Sequence, residues 1–145
     1  MAGSVSNQKV EPMQVTFGEA VMQSENITCI ADVASSLNNK YFIFYTPAGV
    51  KNYAWCNVAA AGVDPAVSGG VANVVAISVA ATATEVATAT AAVLGAVAGF
   101  DCTSSGAVMT LVGTTAGYAK PAHEGVGTGF SFEVNYYGDS AVDLG

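Results

Sequence analysis

Apolar and polar residues alternate over Met13-Gln-Val-Thr-Phe17, which puts Met13, Val15 and Phe17 on one face and predicts a strand that Gly18 interrupts. A second short strand is expected over Asn26-Ile-Thr-Cys-Ile-Ala31, and Ser36-Leu-Asn-Asn-Lys40 reads as a turn. Tyr41-Phe-Ile-Phe-Tyr45 is apolar or aromatic on both faces, as a strand in the middle of a sheet would be. Pro47-Ala-Gly49 turns the chain, and Tyr53-Ala-Trp-Cys-Asn-Val58 returns as the hairpin partner. Tyr53 and Trp55 then share one face, Ala54 and Cys56 the other. The glycines and Pro65 make 60–70 a loop, and Val74–Val79 is a further strand.

The period then changes. Thr82-Ala-Thr-Glu85 has the spacing of a capping box, in which hydroxyl and carboxylate each close a free amide. Val86, Thr90, Val93 and Val97 follow at i, i+4, i+7 and i+11, a narrow apolar stripe, and Gly99 is placed as a left-handed stop. The spacing predicts one α-helix, about 83–98. Its back face, with Ala87, Thr88 and Ala91, carries no charge, which predicts contact with another subunit there. Phe100–Thr103 and Ala107–Val112 read as a hairpin around Ser104-Ser-Gly106. A polar, glycine-rich loop over 113–129 holds Pro121 and His123. Phe130-Ser-Phe-Glu-Val134 alternates, with Phe130, Phe132 and Val134 inward.

This order is α+β: one helix laid across a mainly antiparallel β-sheet or sandwich. The core is expected to include Phe42, Phe44, Trp55, Val86, Val93, Val97, Phe130 and Phe132. Residues 1–12 read as an N-terminal arm, 13–138 as a single structural domain, and 139–145 as an acidic C-terminal tail.

Composition changes the picture of the surface. The chain has 145 residues, 52% of them hydrophobic and only 10% charged, against about 25% charged in an ordinary soluble domain. Either other protein covers much of the surface, or a neutral Thr/Ser/Asn/Gly surface keeps a monomer in solution. There are 11 acids and 4 lysines (Lys9, Lys40, Lys51, Lys120), no arginine, and a net charge of −7. Four scattered lysines cannot grip a phosphate backbone, so no sequence-specific nucleic-acid binding is expected. An acidic face past which DNA slides is compatible. Glu85 and the threonines around it break the apolar stretch from Val71 to Phe100, so no membrane span is expected. The first residues lack the apolar run of a signal peptide, and the Asn26-Ile27-Thr28 triplet then carries no weight.

Little here points to catalysis. Cys29, Cys56 and Cys102 have no Cys-x-x-Cys spacing and His123 is the single histidine, so no metal site is expected. The cysteines are either small buried residues or partners in intersubunit disulfides. His123 is a general base or, with no partner in sight, a solvated loop residue. Gly125, Gly127 and Gly129 lead into a strand, whereas a phosphate cradle needs a helix N-terminus. Asp32, Asp64, Asp101 and Asp139 are spread among turns; a weak calcium site at one of them is the alternative. Tyr41, Phe42, Phe44, Tyr45, Tyr53 and Trp55 are core residues, or else a sugar-binding strip. No catalytic residue and no cofactor is expected, and the chain reads as non-enzymatic.

The runs Ile27–Phe42, Tyr53–Val58, Gly62-Val-Asp-Pro65, the Thr/Ala-rich helix with Val86 and Ala87, and Gly129-Phe-Ser-Phe132 resemble a recurrent domain of tailed-bacteriophage virion structural proteins, over about residues 27–138. The resemblance implies a structural subunit that self-assembles through sheet edges, arm and helix. A tail-tube building block comes first, a capsid decoration protein is the alternative, and a fibre or carbohydrate-binding module is third. The implied partners are copies of itself in a homo-oligomer and other virion proteins, and the implied location is the virion, assembled in the host bacterial cytoplasm. Cys56 and Cys102 stand where the resemblance leads one to expect ordinary core or surface residues, which favours cross-linking.

Overall fold

A computed structural model describes residues 20–140. The arm at 1–12, the strand expected at Met13–Phe17 and the end of the acidic tail lie outside them. The alternating segments form eight strands: β1 Ser24–Thr28, β2 Tyr41–Tyr45, β3 Lys51–Val58, β4 Val71–Ile77, β5 Phe100–Ser105, β6 Val108–Gly113, β7 His123–Val126 and β8 Ser131–Tyr136. One helix, α1 Ala83–Gly95, separates β4 from β5. The strands make two four-stranded sheets, in the orders β5-β6-β1-β8 and β4-β3-β2-β7. The α+β, mainly β arrangement expected from the pattern is the one observed, as a sandwich. Every pairing is antiparallel except β3 with β4, which run parallel.

Period-two alternation builds the core. Ile27 of β1 and Met109 and Leu111 of β6 point inward from one sheet; Phe42, Phe44, Ala54, Cys56, Val58 and Val75 point inward from the other. Phe42 links the layers, its ring 5.8 Å from Phe130 and 5.7 Å from Phe132. Helix α1 bridges the open side between β4 and β5, packing on β4, β5 and β6, while β7 and β8 approach at the other side. The capping box forms as spelled: Thr82 N–H donates to Glu85 Oε1 at 2.8 Å and Glu85 N–H to Thr82 Oγ1 at 3.1 Å.

Several expectations need correction. The helix ends at Gly95 with Ala96 as its C-cap; Gly99, with φ +101°, instead turns the chain into β5. Its buried face is Val86, Ala87, Thr90, Ala91 and Leu94, so Ala87 and Ala91 are core residues and do not face a neighbour. The reason is the cleft: a helix wedged between two sheets buries a wider arc than a helix lying on one. Small side chains allow the close approach, and Thr90 satisfies its hydroxyl on Val86 O at 2.7 Å. Val93, Val97 and Phe132 are only partly buried at the margin of the core. The loop expected over 113–129 contains β7, paired with β2. No described helix is long and apolar enough to cross a membrane.

Candidate assembly surface

A tight turn cannot join parallel strands; a link of about a dozen residues must cross the sheet face. Between β3 and β4 this link is residues 59–70, and three asparagines hold it down. Asn38 Oδ1 accepts from Val58 N–H at 2.9 Å, Asn39 Oδ1 from Val63 N–H at 2.7 Å, and Asn57 Oδ1 from Gly62 N–H at 2.8 Å. A Cβ on Gly62 would stand 2.8, 2.9 and 3.0 Å from these oxygens, so the latch requires glycine. Asp64 Oδ1 accepts from the Tyr53 hydroxyl at 2.6 Å and from Ala66 N–H at 2.8 Å, and these two bonds hold its carboxyl below the usual range.

Beneath the link lies a second, smaller core of Ile43, Tyr53 and Trp55, flanked by Tyr41, Tyr45 and Val67. Trp55 is therefore buried as expected, but on the outer side of its sheet and not between the layers. The aromatic strip is divided between two cores; it is not laid open as a platform for a sugar.

The carboxylates are used in the same local way. Asp32, 3% exposed, accepts from Leu37 N–H at 2.9 Å, Ala80 N–H at 3.0 Å and Ser35 N–H at 3.1 Å. Burial works to raise its pKa, but the three amides together hold it below the ordinary value. Glu25, also buried, accepts from Ala122 N–H at 2.7 Å and Gln23 Nε2 at 3.0 Å, tying β1 to the segment before β7. Glu124 accepts from Thr128 Oγ1 at 2.6 Å and Gly129 N–H at 2.9 Å. With Glu85 in its capping box, most described acids accept internal hydrogen bonds, and two of them, Glu25 and Asp32, are buried.

The remaining chemical candidates are dispersed. Cys29 and Cys56 are buried, which supports their reading as small buried residues; Cys102 is half-buried, and all three are free thiols in the single chain. Burial pushes Cys29 up to about 12, with Cys56 and Cys102 adding to the effect. It also pushes Cys56 up to about 12, with Asp32 adding to it, and Cys102 up to about 11. His123 lies in β7, its Nε2 3.3 Å from the Tyr45 hydroxyl and its Nδ1 3.0 Å from Glu124 O; among the described residues no carboxylate orients the ring. Among the described residues no group of His, Cys, Asp and Glu converges to hold a metal ion.

Exposed apolar side chains gather at the two ends of the sandwich. At one end Met22, Val50, Val71, Tyr118, Tyr136 and Tyr137 are exposed, and the Tyr118 and Tyr137 rings stack 6.1 Å apart. A pocket of about 390 Å³ opens there, lined by Pro47, Ala48, Val50, Val71 and Val97 among others. At the opposite end Ile30, Val33, Val63, Val79 and Val126 are exposed. The flank formed by the β1 sheet is polar, with Asn26 Oδ1 accepting from Asn135 Nδ2 at 2.9 Å and Thr110 Oγ1 at 3.0 Å.

No protein-family model, curated protein or solved structure matches the chain. The surface is thus read from its own chemistry. The motif residues Asn38, Asn39, Asn57 and Gly62 prove to be one latch. Its signal in the sequence was a pair of asparagines before β2, a third near the end of β3, and a glycine in the link.

Proposed function

We propose that this chain is a non-enzymatic structural subunit of a tailed-phage virion, one that self-assembles and serves best as a tail-tube building block. The observation that supports the reading is the division of the surface: a polar flank on the β1 sheet, carboxylates engaged by local hydrogen bonds, and apolar side chains exposed at both ends. Contiguous exposed apolar surface marks interaction sites. A decoration protein needs one shell-facing surface; a stacked subunit needs two, which favours the tube.

Light scattering tests the assembly. Purified protein is expected to form rings, trimers or tubes, and a stable monomer at high concentration refutes the proposal. Imaging of antibody-labelled particles tests the placement. Label along the tail axis supports the tube, whereas label on the head moves the chain to capsid decoration.

A further inference from the structure

We infer that Tyr118 and Tyr137 form a site of oxidative coupling, at which a one-electron oxidant of the peroxidase class joins the two rings as a dityrosine within one chain. The inference stands on the single chain and does not depend on the proposed self-assembly.

The two residues belong to distant segments, one before β7 and one after β8, and a buried side chain holds those segments together. Gln23 is 5% exposed. Its Oε1 accepts from Ala119 N–H at 3.0 Å and from Gly138 N–H at 3.2 Å, the amides that directly follow the two tyrosines. Its Nε2 donates to Ala119 O at 2.8 Å and to Glu25 Oε2 at 3.0 Å. Val21 O accepts from Gly117 N–H at 3.2 Å and from Asp139 N–H at 2.9 Å, which joins the same two segments a second time. A Cβ on Gly138 would run into the Gly117 carbonyl, so the close approach requires glycine. The backbone is thus fixed at both tyrosines. Their rings stack with centroids 6.1 Å apart and planes 22° from parallel, within the range of an aromatic pair in contact. The side chains nevertheless stay 61% and 60% exposed, so an oxidant reaches either ring. Tyr41 and Tyr53 also meet, but edge-on at 66° and with Tyr53 buried.

The oxidant takes one electron and one phenolic proton from each ring. The two phenoxyl radicals join through a new bond between ring carbons ortho to the oxygens. The hydrogen on each of those carbons then moves to oxygen and restores the phenol. The pair loses two hydrogen atoms in all, and one hydrogen peroxide is reduced to two waters. Radicals held side by side couple within the chain before they meet another, because fixed neighbours have a high effective concentration. The product ties together the segments that flank β7 and β8.

Dilute protein treated with a haem peroxidase and hydrogen peroxide tests the site. Denaturing electrophoresis separates links within a chain from links between chains, and dityrosine fluorescence reports the bond. A glutamate-specific protease cuts after Glu124 and Glu133 and places the two tyrosines on separate peptides, so tandem mass spectrometry of the digest locates the link. The wild type is expected to give a fluorescent band at monomer mass, with the peptides of Tyr118 and Tyr137 joined. Tyr118→Phe and Tyr137→Phe should each abolish the fluorescence of that band. Tyr136→Phe should keep it, although Tyr136 is 67% exposed. The Trp55 fluorescence transition confirms that each variant is folded. A wild type that yields no joined peptides, or monomer-band fluorescence that survives Tyr118→Phe or Tyr137→Phe, overturns the inference.

Discussion

Replacing Asp32 with alanine should cost more stability than any surface position. The carboxylate accepts three backbone amides, at 2.9, 3.0 and 3.1 Å, and is itself buried. The amides are not equivalent. Ser35 and Ala80 are exposed residues, and water can replace the lost acceptor. Leu37 is 1% exposed, and its amide is stranded, at about 1–3 kcal/mol for an unsatisfied buried donor. Adding about 1 kcal/mol for each re-solvated bond gives a loss of about 3–5 kcal/mol for Asp32→Ala. The pH dependence follows from the depressed folded pKa. The contribution is fully present above the unfolded value of about 4, and it is lost as pH falls through the lower folded value. The gap between wild type and Asp32→Asn should therefore narrow on acidification. Urea unfolding at fixed protein concentration, followed through the single tryptophan, Trp55, measures both effects. A loss below about 0.5 kcal/mol at neutral pH, the scale of an ordinary surface substitution, refutes the clamp.

Gly62→Ala should push apart the three asparagine oxygens and lower stability by about 1–3 kcal/mol, the usual cost of overpacking; thermal unfolding checks it, and an unchanged midpoint removes the latch. Glu25→Ala should free the segment before β7 by stranding the Ala122 amide, seen as new limited-proteolysis cuts between residues 114 and 122 where the wild type resists. Alkylation at pH 8 should leave Cys29 and Cys56 unmodified in the folded protein, since burial pushes both thiols up to about 12. In urea, mass spectrometry should find both modified, and rapid native labelling of either one contradicts their burial.

Much of the architecture was legible because it is written in local periodicity. The Phe42/Phe44 and Ala54/Cys56 faces follow from alternation, and Thr82 and Glu85 start the helix with contacts three residues apart. Asparagine and serine before Tyr41 mark a turn without naming its distant partner.

Relations between distant segments were not legible. That β3 and β4 run parallel is decided by the crossing link and its latch, and this alone puts Trp55 in a second core. Helix α1 rotates its buried face onto Ala87 and Ala91 because it enters a cleft between sheets, and alanine is silent about which side it faces. Asp32 looks like any turn aspartate until Ala80, far along the chain, folds beside it. The sequence by itself determined roughly where most strands and the start of the helix lie, β7 excepted, and how little charge the surface can hold, since both depend on neighbouring residues and composition. Only the tertiary structure decided where the remaining apolar surface collects, because the two ends are assembled from loops that no local pattern connects.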